Sequence, residues 1–230
     1  MIGCLCLHGF TGAPYEVQPL AEYLKEHTDW KIVVPTLPGH GEELQLKGVT
    51  YHDWLQHADE ELTRLKEECD HVYLIGFSMG GLIAAYLATK YDVQKLVLLS
   101  AAAYYINPSQ LKEDVLMMVK DSVRGKLHEN ELFHRYKKKI VATPLSATIE
   151  FRKLVKFVRP KLRHVTIPTL IAQGECDGIV PVKSAQYLYE RIGSPKKILF
   201  YSKKANHHIC HSEDCEELFQ AVLNFLRESM

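Results

Sequence analysis

The chain has 230 residues, 47% of them apolar, and its 28 Lys and Arg balance its 28 Asp and Glu. That length suits one domain with a large insertion, and the apolar share is enough for a core. Zero net charge leaves no electrostatic footprint for nucleic acid, and no apolar run approaches the roughly 18 residues of an integral membrane segment.

The N-terminal stretch MIGCLCLHGF is apolar but has no basic leader and no cleavage site. It reads as a first strand, Ile2 to Leu7, in a cytoplasmic protein. Cys4 and Cys6 fall on one face of that strand, where cysteine behaves as a small hydrophobe. The six cysteines form no C-x-x-C pair and no zinc-finger spacing, so reduced thiols are expected. Further short apolar runs follow at Lys31 to Val34, Val72 to Gly76, Lys95 to Ser100, Thr169 to Gln173 and Lys197 to Tyr201. Several are continuous in Leu, Ile and Val rather than alternating, as in parallel strands buried on both faces. Helical patterns lie between them at 15–28, 51–68, 79–90, 182–192 and 213–228. Such alternation predicts an α/β fold, a parallel sheet with right-handed crossovers and helices on both faces.

Residues 107–164 break the rhythm. LKEDVLMMVKDSVRGKL and TPLSATIEFRKLVKFV carry apolar residues at helical spacing, with Thr143 as a candidate N-cap and Pro144 at a helix start. The chain therefore divides into a core, 1–106 with 165–230, and a helical insertion, 107–164. The insertion holds 14 basic against 6 acidic residues, and the remainder 14 against 22. Its charges are interspersed, which reads as basic helices on an acidic body. They also allow a weak contact with a lipid surface or attraction of anionic substrates.

Gly76-Phe77-Ser78-Met79-Gly80 fits G-x-S-x-G, a pattern that is weak alone. Here it ends a strand, VYLIG, and opens a helix, MGGLIAAYLATKY, the place of a nucleophile elbow. Small residues must flank such a serine because strand and helix crowd together. The plain alternative is a glycine turn with an incidental serine. A serine nucleophile needs a base, and the base an orienting acid, in the chain order serine, acid, histidine. Among the downstream aspartates, Asp177 follows a strand directly, in TLIAQGECDGIVP, at the sheet edge where catalytic groups gather. The base comes after the last strand, in ILFYSKKANHHICHSEDCEEL. His211 sits close to the next helix; between His207 and His208 the residues alone leave the choice open. The spacing of these histidines with Cys210 matches no metal pattern. Oxyanion donors are expected from the Met79 N–H and from the loop His8-Gly9-Phe10-Thr11-Gly12, with Phe10 as donor and Gly9 and Gly12 turning the backbone. His8 precedes Ser78, against the expected order, and reads as a hydrogen-bonded structural residue.

The chain resembles an α/β-hydrolase, and most closely the small bacterial carboxylesterases related to monoacylglycerol lipase. The resemblance rests on LHGFTG, PGHG at 38–41, GFSMGG, GECDGIVP and NHHI, and it spans nearly the whole chain. It implies Ser78 as nucleophile, Asp177 as acid, and Phe10 and Met79 as oxyanion donors. It puts the base at His207, with Asn206 where the family carries glycine. It places the insertion at the family's cap, with Leu116, Met117, Met118, Val119, Phe151 and Val155 as candidates to roof an apolar pocket or pack the cap down. The two antiparallel strands that usually open the fold are absent from the sequence, so six strands are expected. The implied activity is acyl transfer on a small-molecule ester of short or medium acyl chain, or a monoacylglycerol, with no metal or cofactor. A thioesterase, lactonase or peptidase would use the same groups, and a ligand-binding protein with little turnover is the alternative of another class.

Overall fold

The computed structural model describes residues 1–104 and 143–228. Six strands form one sheet: β1 (Ile2–Leu7), β2 (Lys31–Val33), β3 (His71–Phe77), β4 (Lys95–Leu99), β5 (Thr169–Gly174) and β6 (Lys197–Ser202). Their order is β2-β1-β3-β4-β5-β6 and every pair is parallel. Among the described residues these six parallel strands, with helices on both faces, make the α/β architecture expected from the sequence.

The continuous apolar runs are explained by burial on both sides. Leu5, Leu7, Leu74, Leu96, Leu98 and Ile171 face one core. Cys4, Cys6, Ile75, Val97, Leu99 and Leu170 alternate with them and face the other. Each fully buried Leu or Val contributes about 1.5–3 kcal/mol, so both faces are needed to hold the sheet. The first core is covered by α2 (Tyr51–Glu68), α3 (Met79–Lys90), α4 (Leu145–Val158) and α5 (Lys183–Arg191). The second is covered by α1 (Gln18–His27) and α6 (Cys215–Arg227).

Local chemistry sets the element ends. The helix expected from residue 15 is a 3-10 turn, Pro14–Glu16, followed by α1. Pro19 lacks an N–H and is tolerated in a first turn, so α1 starts just before it. At α2, Thr50 and Asp53 form a reciprocal capping box. Thr143 does not cap the insertion's described helix. Pro144 occupies the N-cap with extended ψ of 145°, no side-chain cap bond is made, and α4 begins at Leu145. The pattern at 111–127 lies outside the described residues, as do Leu116, Met117, Met118 and Val119. Phe151 and Val155 are buried where α4 packs on α2 and α3. The Glu150 carboxylate also accepts the Tyr51 N–H at 3.2 Å, an anion at the start of α2.

Candidate active site

Four loops at the carboxyl ends of β1, β3, β5 and β6 converge on one spot. β3 ends at Phe77 and α3 begins at Met79, leaving Ser78 alone in the bend with φ 52° and ψ −113°. A non-glycine residue pays strain energy there, about 1–3 kcal/mol, and persists only where its surroundings hold it. The Ser78 N–H donates to the Leu99 carbonyl at 2.9 Å, and its own carbonyl accepts from Gly81 at 3.1 Å and Ala102 at 3.3 Å. The glycines supply space. A Cβ on Gly76 would lie 2.3 Å from the Gly80 carbonyl oxygen, and one on Gly80 would lie 2.3 Å from that of Leu7. Gly81 is equally confined, 2.6 Å from the Ala101 Cβ.

Ser78 Oγ lies 3.1 Å from His207 Nε2, and His207 Nδ1 lies 2.8 Å from Asp177 Oδ2. The serine, the imidazole and the carboxylate are all buried. The other carboxylate oxygen, Oδ1, accepts the N–H groups of Ile179 and Val180, both at 2.9 Å. Burial alone pushes the Asp177 carboxyl up. The charge and hydrogen bond of His207 and the two N–H groups outweigh it and hold the carboxyl below its ordinary value. It is thus an ionised acceptor, and a donor Nδ1–H leaves Nε2 open to take a proton from Ser78.

The three neighbouring histidines have three different partners. His207 meets Ser78 and Asp177. His208 Nε2 lies 3.2 Å from Glu16 Oε1, and His211 Nε2 donates to the Tyr15 carbonyl at 2.8 Å. Burial lowers the His211 pKa. Among the described residues, no group of three or more His, Cys, Asp or Glu is arranged to hold a metal ion.

The loop after β1 is rigidly held. His8 is fully buried; its Nε2 accepts the Leu37 N–H at 3.0 Å, and its Nδ1 donates to the Gly9 carbonyl at 2.9 Å. Gly12 also donates to that carbonyl, at 3.3 Å. The Phe10 N–H belongs to the same trans peptide and therefore points the opposite way, free of the loop's internal bonding direction. The left-handed residue here is Thr11, φ 62°, whereas Gly9 and Gly12 stay out of that region. This corrects the expectation that the glycines turn the backbone. Gly12 is needed because a Cβ would meet Glu16 Oε2 at 1.9 Å. Met79 is fully buried and sits at the first position of α3, so what it presents is an N–H of the helix's first turn. The Phe10 ring stacks on Phe151 of α4, with centroids 5.1 Å apart and planes 11° apart, and meets Trp54 edge-on at 5.8 Å.

A family model described as serine aminopeptidase, S33 (Hydrolase_4) matches residues 3–214. The chain belongs to this family. It is similar to a thermostable monoacylglycerol lipase of Bacillus sp. (strain H-257), 28% identical over 97% of this chain and 90% of the relative. It is 25% identical to a carboxylesterase of Bacillus subtilis (strain 168), over 97% and 92%. In fold it matches a solved structure from work on LipS and LipT, two metagenome-derived lipolytic enzymes. The TM-score is 0.81 at 23% identity, covering 99% of this chain and 94% of that one.

Sequence reasoning missed two polar residues of this candidate site. Gln173, fully buried at the end of β5, donates from Nε2 to Asp177 Oδ2 at 2.8 Å. Glu16, also buried, accepts the Gly9 N–H at 2.7 Å. The signal for Gln173 was a polar residue inside the apolar run TLIAQG. Glu16 carried no such signal, because its position on an amphipathic pattern reads as solvated surface.

Proposed function

We propose that the chain hydrolyses carboxylic esters through a covalent acyl-enzyme, with Ser78 as nucleophile, His207 as general base and acid, and Asp177 as the group that orients and stabilises the imidazolium. The observation that carries this reading is the continuous Ser78–His207–Asp177 hydrogen-bond chain ending on a strained elbow. His207 Nε2 takes the Ser78 Oγ proton as Oγ bonds to the carbonyl carbon. The oxyanion is received by the Phe10 and Met79 N–H groups, each such donor contributing roughly 3–4 kcal/mol of transition-state stabilisation. The tetrahedral centre collapses, the C–O bond breaks, and the alcohol leaves with the proton from His207. Water repeats the sequence on the acyl group and frees the acid.

The substrates we propose are small esters of short or medium acyl chain, or monoacylglycerols. The names of the two Bacillus relatives support this class, and the ring of Phe10, whose N–H is the proposed donor, packs on the buried Phe151 and Trp54. We assign residues 107–164 as a cap on a core of 1–106 and 165–230, and the cap's basic character suits a weak contact with a lipid surface. Among the described residues no helix is long and apolar enough to cross a membrane.

A fluorophosphonate probe is expected to label wild-type protein at neutral pH and to spare Ser78→Ala. A panel of p-nitrophenyl esters and monoacylglycerols of graded chain length, with a peptide amide and a thioester beside them, then identifies the bond cleaved. No adduct on Ser78 would overturn the enzyme reading, and turnover confined to the amide would overturn the ester assignment.

A further inference from the structure

The mechanism leaves one buried charge unused. Glu16 is 1% exposed, and an ionised carboxylate in that setting is costly unless partners compensate it. Its two oxygens have separate partners on two different loops. Oε2 accepts the Gly9 N–H at 2.7 Å; Oε1 faces His208 Nε2 at 3.2 Å. His8, Cys210 and His211 are near enough to interact with its charge.

Each partner lies one residue from a group of the proposed mechanism. Gly9 precedes Phe10, and His208 follows His207. Thr11, on the other side of Phe10, is in a strained left-handed conformation, so this loop relaxes unless it is held from outside. The Phe77 ring packs against both histidines, with centroids 4.9 Å from His207 and 5.6 Å from His208.

We propose that Glu16 is a positioning residue that ties the oxyanion loop to the base loop, keeping the Phe10 N–H and His207 in register around Ser78. The inference rests on the hydrolase reading above. A merely structural carboxylate would affect the fraction of folded protein; a positioning carboxylate sets the rate of each folded site. The two are separated by measuring kcat per Ser78 site titrated with fluorophosphonate.

Three variants serve, with p-nitrophenyl acetate as substrate. Glu16→Met keeps the volume but cannot accept the Gly9 N–H. Glu16→Gln restores an acceptor. Gly12→Ala retains the charge but displaces it, since its Cβ would meet Glu16 Oε2 at 1.9 Å. Loss of an oxyanion donor costs about 10²–10³ in kcat, and misplacing one is expected to cost Glu16→Met and Gly12→Ala about 10- to 100-fold. KM should stay within about threefold, because binding and transition-state stabilisation are separable. Inhibition by phenylboronic acid, which forms a tetrahedral adduct at the same donors, should weaken in parallel. Glu16→Gln should recover most of the loss. Full kcat per site in Glu16→Met overturns the proposal; should that variant not fold, full kcat in Gly12→Ala does so. A wild-type protein that neither labels nor turns over overturns the hydrolase reading and this inference with it.

Discussion

Gln173 Nε2 donates to Asp177 Oδ2 at 2.8 Å, the same oxygen that receives His207 Nδ1. The Val180 carbonyl, 3.3 Å from the same nitrogen, fixes which way the amide faces. Asp177 is therefore held by a side chain from within the sheet as well as by its own loop. A hydrogen bond to a charged group contributes roughly 1.5–3 kcal/mol, part of which the remaining donors replace. Gln173→Leu is expected to lower kcat about tenfold with KM little changed. Steady-state kinetics on p-nitrophenyl acetate check this, and an unchanged kcat would show that the loop N–H groups suffice.

His207 and His208 separate the two roles that their adjacency obscures. Only the first touches Ser78, at 3.1 Å, while the second faces Glu16. His207→Ala is expected to lower kcat by at least about 10⁴, the scale of losing one member of a serine triad. His208→Ala should cost far less. The same kinetics decide it; a larger loss from His208→Ala would reverse the assignment of the base.

These two residues also mark how far the sequence carries. The six parallel strands and the serine turn were legible because they depend on local patterns: continuous apolar runs, glycines beside Ser78, an aspartate just past a strand; the order of the strands in the sheet was not. The histidine next to Ser78 was not legible from the residues alone, since a one-residue change of loop path exchanges His207 and His208. That path is set by a distant contact, the close packing of Gly174 on Ala205, where a Cβ would lie 2.2 Å from the carbonyl oxygen. Glu16 was missed for the same reason. Its carboxylate meets His208, 192 residues away, and occupies space that a side chain at Gly12 would fill.

The lowered Asp177 pKa makes a stability prediction. The folded carboxyl titrates below its ordinary value of 3.8. At pH 5 folded and unfolded forms are both ionised, and the stabilisation is fully present. As pH falls below about 3.9 the unfolded carboxyl protonates first, and the advantage disappears through the folded value. Urea unfolding of wild type and Asp177→Asn is expected to show a stability gap at pH 5 that narrows steadily below pH 4. A gap that widens on acidification would mean that burial, not pairing, dominates this carboxyl.

Glycines in the elbow and in the outer loop should respond very differently to alanine. At Gly76 and Gly80 the new Cβ meets backbone carbonyls at 2.3 Å, which no side-chain rotation relieves. Both substitutions are expected to destabilise by about 3 kcal/mol or more, in the range of severe overpacking. Gly48 has φ +82° but nothing within 4 Å of the added Cβ. Its alanine variant should lose only the left-handed backbone term, roughly 1–2 kcal/mol. Thermal unfolding of the three variants tests the ordering, and equal losses would contradict the packing argument.

Lys95 opens β4 at the amino end of the sheet, the edge away from Ser78, and is 1% exposed. Its ammonium donates to the carbonyls of Phe225 at 2.8 Å, Leu226 at 3.1 Å and Glu228 at 2.6 Å. Those groups end α6, where the last carbonyls lack helical partners and the dipole favours a cation. Burial, with Lys196 nearby, lowers the Lys95 pKa against the pull of Glu228. The carbonyls offset that burial only while the ammonium reaches them. Lys95→Met keeps the aliphatic stem and removes all three donors, so α6 loses its tie to the sheet. A loss of about 2 kcal/mol is expected, from hydrogen bonds to a charged group less the relieved desolvation. For a chain of this size that corresponds to a fall in Tm of roughly 4–8 °C. Because β4 separates Lys95 from the edge that carries Ser78, the rate of fluorophosphonate labelling at 25 °C should match wild type. A variant that labels slowly while unfolding at the wild-type temperature would place Lys95 in the active site's support rather than in the capping of α6.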